Sequence, residues 1–114
     1  MDVTGIKPFV PSKDFDVSKC FYSEIGFTSE YVTDDLMLFE NGGCIFFLQR
    51  FYNEALANNF MLQICVSDIV DAHELCSNSK HKTKITPVEE VSWGKVFYLW
   101  GPAGELLHIT QLNC

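Results

Sequence analysis

Histidine and cysteine carry the widest chemical repertoire of any side chains in this sequence, which has three of the first and five of the second. His108 stands in GPAGELLHITQ, which reads as a tight turn followed by a strand. A histidine there can ligate a metal, act as an acid or base near neutral pH, or sit in a wall with one polar tip. Strand alternation puts Leu106, His108 and Thr110 on one face and Leu107, Ile109 and Gln111 on the other. His73 falls on a predicted helix and His81 in the basic stretch SKHKTK, so both are expected in solvent. The cysteines are Cys20, Cys44, Cys65, Cys76 and Cys114, an odd number with no CxxC. They read as free thiols of a reducing cytoplasm, mostly small core residues, with Cys44 and Cys65 buried on strands and no nucleophile among them. The start MDVTGIKPF lacks the apolar region of a signal peptide, so a cytoplasmic location is expected.

Ten Phe, four Tyr and two Trp are many aromatics for 114 residues, and some are expected to line a cavity. Tyr98 and Trp100 share a strand face, whereas Trp93 is expected to pack between sheet and helices. Fifteen acidic against eight basic residues give a formal charge of −7. That balance excludes nucleic acid, which needs a basic face, and suits a cationic ligand as well as plain solubility. No apolar run approaches the ~20 residues that span a membrane.

These side chains must be positioned by a small α+β domain. IKPFV reads as a strand, and the following helix is capped by Ser12 or Asp14 and stopped at Gly26. TSEYVT, LMLFE and CIFFLQ read as strands, with NGG as a hairpin turn. Residues 51–59 are polar and read as a connection without strand pattern. FMLQICV is then a strand and SDIVDAHELC a helix capped by Ser67 or Asp68. ITPVEEVSW is an edge or bulged strand because of its proline, and KVFYLW and ELLHITQ form the last hairpin. The order β-α-β-β-β therefore occurs twice, in module one (1–50) and module two (60–114). Lys7 precedes Asp14 by the same interval as Met61 precedes Asp68, and Phe47 follows Gly43 as His108 follows Gly104. Paired βαβββ modules give a curved mixed sheet, a cup with helices outside.

SKDFDVSKCFYSEIGF resembles the first-helix signature of the vicinal oxygen chelate superfamily, and SWGKVFYLWGPAGELLHITQ resembles its final hairpin. Gly101 departs from the Asp usual there before Pro. That superfamily includes glyoxalases, extradiol dioxygenases, fosfomycin resistance enzymes and bleomycin resistance proteins. The resemblance implies the paired-module cup. Its four metal positions align with Lys7, Phe47, Met61 and His108. A protonated lysine and a phenylalanine cannot ligate, and a thioether suits soft ions only, so no metal or other cofactor is expected.

The resemblance is nearest to the metal-free bleomycin-resistance type, which binds a flat cationic drug between two subunits. It implies antibiotic resistance by sequestration: a homodimer holding a small molecule, cationic and aromatic, without turnover. The implied wall is Lys7, Phe9, Phe47, Gln49, Met61, Gln63, Tyr98, Trp100 and His108. The alternative is a glyoxalase-like lyase, isomerase or transferase using His108, with or without a divalent metal.

Overall fold

The computed structural model describes residues 1–113; Cys114 lies outside the described residues. Module one contains β1 (Phe9–Pro11), α1 (Phe15–Glu24), β2 (Thr28–Thr33), β3 (Leu36–Asn41) and β4 (Cys44–Gln49). Module two contains β5 (Met61–Cys65), α3 (Ile69–Ser77), β6 (Lys84–Ile85), β7 (Glu89–Val91), β8 (Gly94–Trp100) and β9 (Leu106–Leu112). A short helix, α2 (Glu54–Asn58), stands in the connection that the sequence left without structure. The proline-bearing edge strand is broken into β6 and β7, both paired to β8. Pro87 lies in the gap, as a residue without a backbone donor should.

Each module builds its own sheet, ordered β1-β4-β3-β2 in the first and β5-β9-β8-β6 in the second. The first and last long strands run parallel in both, β1 with β4 and β5 with β9. The module match seen in the sequence reappears as register. Phe9 pairs with Phe47, and at the matching positions Gln63 pairs with His108. Asp14 and Asp68 cap α1 and α3, each accepting backbone N–H groups of its helix. The β3–β4 turn is made by Gly42 and Gly43, with φ of 60° and 80°, while Asn41 remains in the strand opposite Cys44.

Alternation gives each sheet two sides. Met37, Phe39, Phe46 and Leu48 in module one, and Phe97, Leu99, Leu107 and Ile109 in module two, face the helices and join one buried core. Phe15, Phe21, Tyr22, Ile69 and Cys76 fill it from the helices. The opposite, concave sides carry the half-buried and exposed residues.

One polar contact crosses the core. The Tyr22 hydroxyl donates to Glu105 Oε2 at 2.7 Å, and the Ala103 N–H donates to Oε1 at 2.9 Å. Both Tyr22 and Glu105 are fully buried. Burial lifts the Glu105 carboxyl above the usual carboxylate range, although both hydrogen bonds pull it down. The folded chain therefore holds this proton more tightly than the unfolded chain. Its contribution is complete below the ordinary carboxylate pKa and is lost as pH rises through the raised value. Glu105→Gln removes the ionisation. The stability of wild type relative to this variant, from urea unfolding, is expected to fall as pH climbs from about 4 toward neutrality. A difference that stays flat or rises with pH would contradict the sign.

Candidate functional site

The concave side of sheet two is the densest group of ligand-capable side chains. β8 and β9 place Tyr98 opposite His108, and their rings meet edge to face at 5.0 Å. Trp100 follows on the same side, its ring 6.4 Å from that of Tyr98. β6 pairs Lys84 with Trp100, and the Lys84 ammonium stands over the indole at 4.9 Å. β5 adds Gln63 beside His108, with Met61 two residues earlier on the same side and 62% exposed. His108 Nε2 is buried and has no protein hydrogen-bond partner. A buried ring nitrogen left unmatched is costly in an inert wall and useful where a polar ligand atom arrives.

The concave side of sheet one carries Phe9 and Phe47 as a tilted ring pair at 5.1 Å, with Phe9 half exposed. Gln49 lies on that side at the end of β4, paired with Pro11. A hollow of about 370 Å³ beside these residues is lined by Thr28, Glu30, Leu38 and Glu40. The expected wall included neither glutamate; alternation along TSEYVT and LMLFE was the signal that places them beside Phe47.

Eight of the nine expected wall residues thus sit on concave sides, in two groups. Phe9, Phe47 and Gln49 belong to sheet one, and Met61, Gln63, Tyr98, Trp100 and His108 to sheet two. Lys7 stands apart: β1 begins only at Phe9, and Lys7 is exposed ahead of it. It pairs with neither Glu40 nor Glu105, and Glu105 is taken by Tyr22. Register sets Gln63 across from His108, and Phe9 across from Phe47. Among the described residues no three His, Cys, Asp or Glu side chains come together as a metal-holding group.

Several expectations about single residues are corrected. Cys20, Cys44 and Cys65 are exposed, and only Cys76 of the described cysteines is buried. Cys44 and Cys65 occupy strand positions whose alternation faces away from the core. Trp93 is 55% exposed, because it sits in the β7–β8 turn outside both packed faces. His73 and His81 are half-buried. The His73 ring packs edge-on to Phe97 at 4.8 Å and reaches the Thr86 carbonyl at 3.0 Å. His81 pairs with Glu24 at 3.0 Å, tying the basic loop to α1.

No protein-family model matches the chain, and no curated protein matches it by sequence. Solved structures do match its fold. A bleomycin-binding protein from bleomycin-producing Streptomyces verticillus, complexed with copper(II)-bleomycin, superposes with a TM-score of 0.82 at 22% identity over 99% of each chain. A bleomycin resistance determinant encoded on the transposon Tn5 gives 0.81 at 22% identity, over 98% of this chain and 100% of that one. The chain has the fold of these proteins. Enzymes share it: a lactoylglutathione lyase from Agrobacterium tumefaciens gives 0.72 at 11% identity, over 96% of this chain and 95% of that one. This shared fold fixes the two concave sheets, and the side chains on them decide what is done there. Among the described residues no helix is long and apolar enough to cross a membrane.

Proposed function

We propose that the chain is a small-molecule-binding protein of the bleomycin-resistance type, holding a planar aromatic cation without transforming it. The observation that carries this reading is the continuous strip of Gln63, His108, Tyr98 and Trp100 on one concave side. Two stacking rings and a polar pair meet there, with one ring nitrogen unmatched. Trp100 already takes a cation on its face, that of Lys84.

The site is closed by a second copy. The concave side of sheet one in one protomer covers that of sheet two in its partner, so that Phe9, Phe47 and Gln49 complete the wall. Glu30 and Glu40 then supply the negative charge a cation needs. Each of the two faces leaves one large apolar side chain open, Phe9 on sheet one and Met61 on sheet two, which supports a face that is covered. Among the described residues neither face carries three His, Cys, Asp or Glu side chains grouped to hold a metal, which favours sequestration over metal-assisted chemistry.

Bleomycin and a simple planar aromatic cation are the probes. At about 100 times its Kd a ligand adds roughly 2.7 kcal/mol, which raises Tm by on the order of 10 °C in a domain of this size. Trp100→Ala is expected to weaken binding roughly tenfold or more, as loss of one stacking face does. Lys84→Ala is expected to tighten it, because the ligand no longer displaces the ammonium. Tight binding by a strictly monomeric protein would defeat the two-subunit site, and insensitivity to Trp100→Ala would defeat the stacking.

The buried, unmatched His108 Nε2 favours a second reading, a lyase, isomerase or transferase with His108 as acid or base. Elemental analysis after exposure to Ni²⁺, Zn²⁺, Mn²⁺ and Fe²⁺ separates the metal-dependent form of it. One tightly held ion per subunit puts the enzyme first.

A further inference from the structure

The two modules do not meet flush. A cleft of about 380 Å³ lies between them, bounded by the end of α1 and the start of β4 on one side and by β5 and α3 on the other. Its walls include Ile25, Phe27 and Phe46 from module one and Leu62, Ile64 and Leu75 from module two. The module match makes its origin plain. Val10 and Ile64 both stand four residues before a helix-capping aspartate, on the helix-facing side of an outer strand. Val10 is fully buried, whereas Ile64 is left half-exposed in the cleft. One module has covered this position and the other has not.

We infer that this cleft is a second binding site, separate from the Tyr98 and Trp100 rings of the concave strip though sharing Gln63 with it, for a small neutral molecule that is mainly apolar and carries a single polar group. No Asp, Glu, Lys, Arg or His lines it, in a chain of formal charge −7. A charged ligand would therefore lose its hydration with nothing to replace it. Two side-chain amides line the cleft. Asn41 Nδ2 already donates to the Gly26 carbonyl at 3.0 Å. The Gln63 amide meets only the Cys65 thiol, at 3.8 Å, and so can take one polar group of a ligand. The volume lies in the range of small-molecule sites, and its place between two packed units is where such sites form. The occupant differs from the proposed concave ligand in charge, so the inference does not rest on that reading.

Cysteines make the site readable. Cys44 and Cys65 line the cleft and are exposed, while Cys20 is exposed on α1 and lies outside it. Cys76 lines it as well, but burial pushes its thiol up to about 11 and keeps it unreactive. The probe is N-phenyl-1-naphthylamine, a neutral molecule with two apolar ring systems and one N–H for Gln63 to accept. Iodoacetamide labelling is followed peptide by peptide with mass spectrometry. At ten times the probe's Kd, labelling of Cys44 and Cys65 is expected to slow roughly tenfold with Cys20 unchanged. Leu75→Trp, which fills the cleft from its exposed rim, is expected to abolish that protection, and Trp100→Ala to preserve it.

The opposite pattern, protection lost in Trp100→Ala and kept in Leu75→Trp, places the probe on the concave face and overturns the inference. So does equal slowing at all three thiols, or no protection up to the probe's solubility limit. Protection of Cys44 and Cys65 without probe, growing with protein concentration, would show that a second copy covers the cleft, and would overturn it too.

Discussion

Tyr22→Ala is expected to lower the unfolding free energy by about 4 kcal/mol, read as a fall in the urea midpoint at unchanged slope. The ring lies within 4.9 to 6.3 Å of Phe21, Phe27, Phe39 and Phe46, mostly edge to face, and is fully buried. Its loss opens a cavity among four aromatics that rigid strands prevent from collapsing. It also takes the hydroxyl from Glu105, a buried carboxyl at the β8–β9 turn of the other module. Against a total stability of about 5–15 kcal/mol, this loss brings the chain close to unfolding. Tyr22→Phe separates the two contributions. It keeps the packing and removes the donor, at about 1–3 kcal/mol. Because the lost hydrogen bond had held the Glu105 pKa down, that variant is expected to lose more at neutral than at acid pH. An equal loss at both would mean that Tyr22 acts by packing alone.

The contrast between Tyr22 and the strand registers shows what a sequence makes legible here. Asp14 and Asp68 are local signals, since a carboxylate before an amphipathic stretch caps a helix whatever lies elsewhere. Counting back from them matched Lys7 to Met61, and counting forward from the turn glycines matched Phe47 to His108. The parallel registers keep these intervals: Phe9 and Gln63, each two residues further on, lie across from Phe47 and His108. Alternation then put Tyr98 with Trp100 on one face of their strand and Leu106, His108 and Thr110 on one face of the next, because strand period is local too; the β8–β9 register joins the two faces. Nothing local marks the partnership of Tyr22 and Glu105, which are 83 residues apart. The cysteines misled for a related reason. Their average tendency to be buried is weaker than the alternation that points Cys44 and Cys65 away from the core, and alternation was the better guide. Lys7 was misplaced because the run IKPFV looks continuous. Pairing partners decide where a strand begins, and β1 is held to β4 only from Phe9.

Gly94→Ala is the backbone counterpart of the Tyr22 change, with an expected cost of about 3 kcal/mol. Gly94 opens β8 opposite Leu112, at φ of 154°. A Cβ there would lie 2.2 Å from the Gln111 carbonyl oxygen and 3.0 Å from the Leu112 Cα. Both obstacles are backbone atoms of β9, so relief requires the β8–β9 ends to part rather than a side chain to turn. Parting them moves Gln111, whose side-chain Oε1 accepts from the Ile69 N–H at 2.8 Å and so anchors the first turn of α3. The disturbance therefore passes from a strand end to a helix start. It is expected as lost hydrogen-exchange protection in both places, alongside the fall in stability. Gly42→Ala is the control. Gly42 also has positive φ, 60°, but a Cβ there meets nothing within 4 Å. Only the conformational penalty remains, about 1 kcal/mol, and α3 should be untouched. If the two substitutions cost the same, strain alone sets the price at Gly94, and the close approach of β9 does not matter.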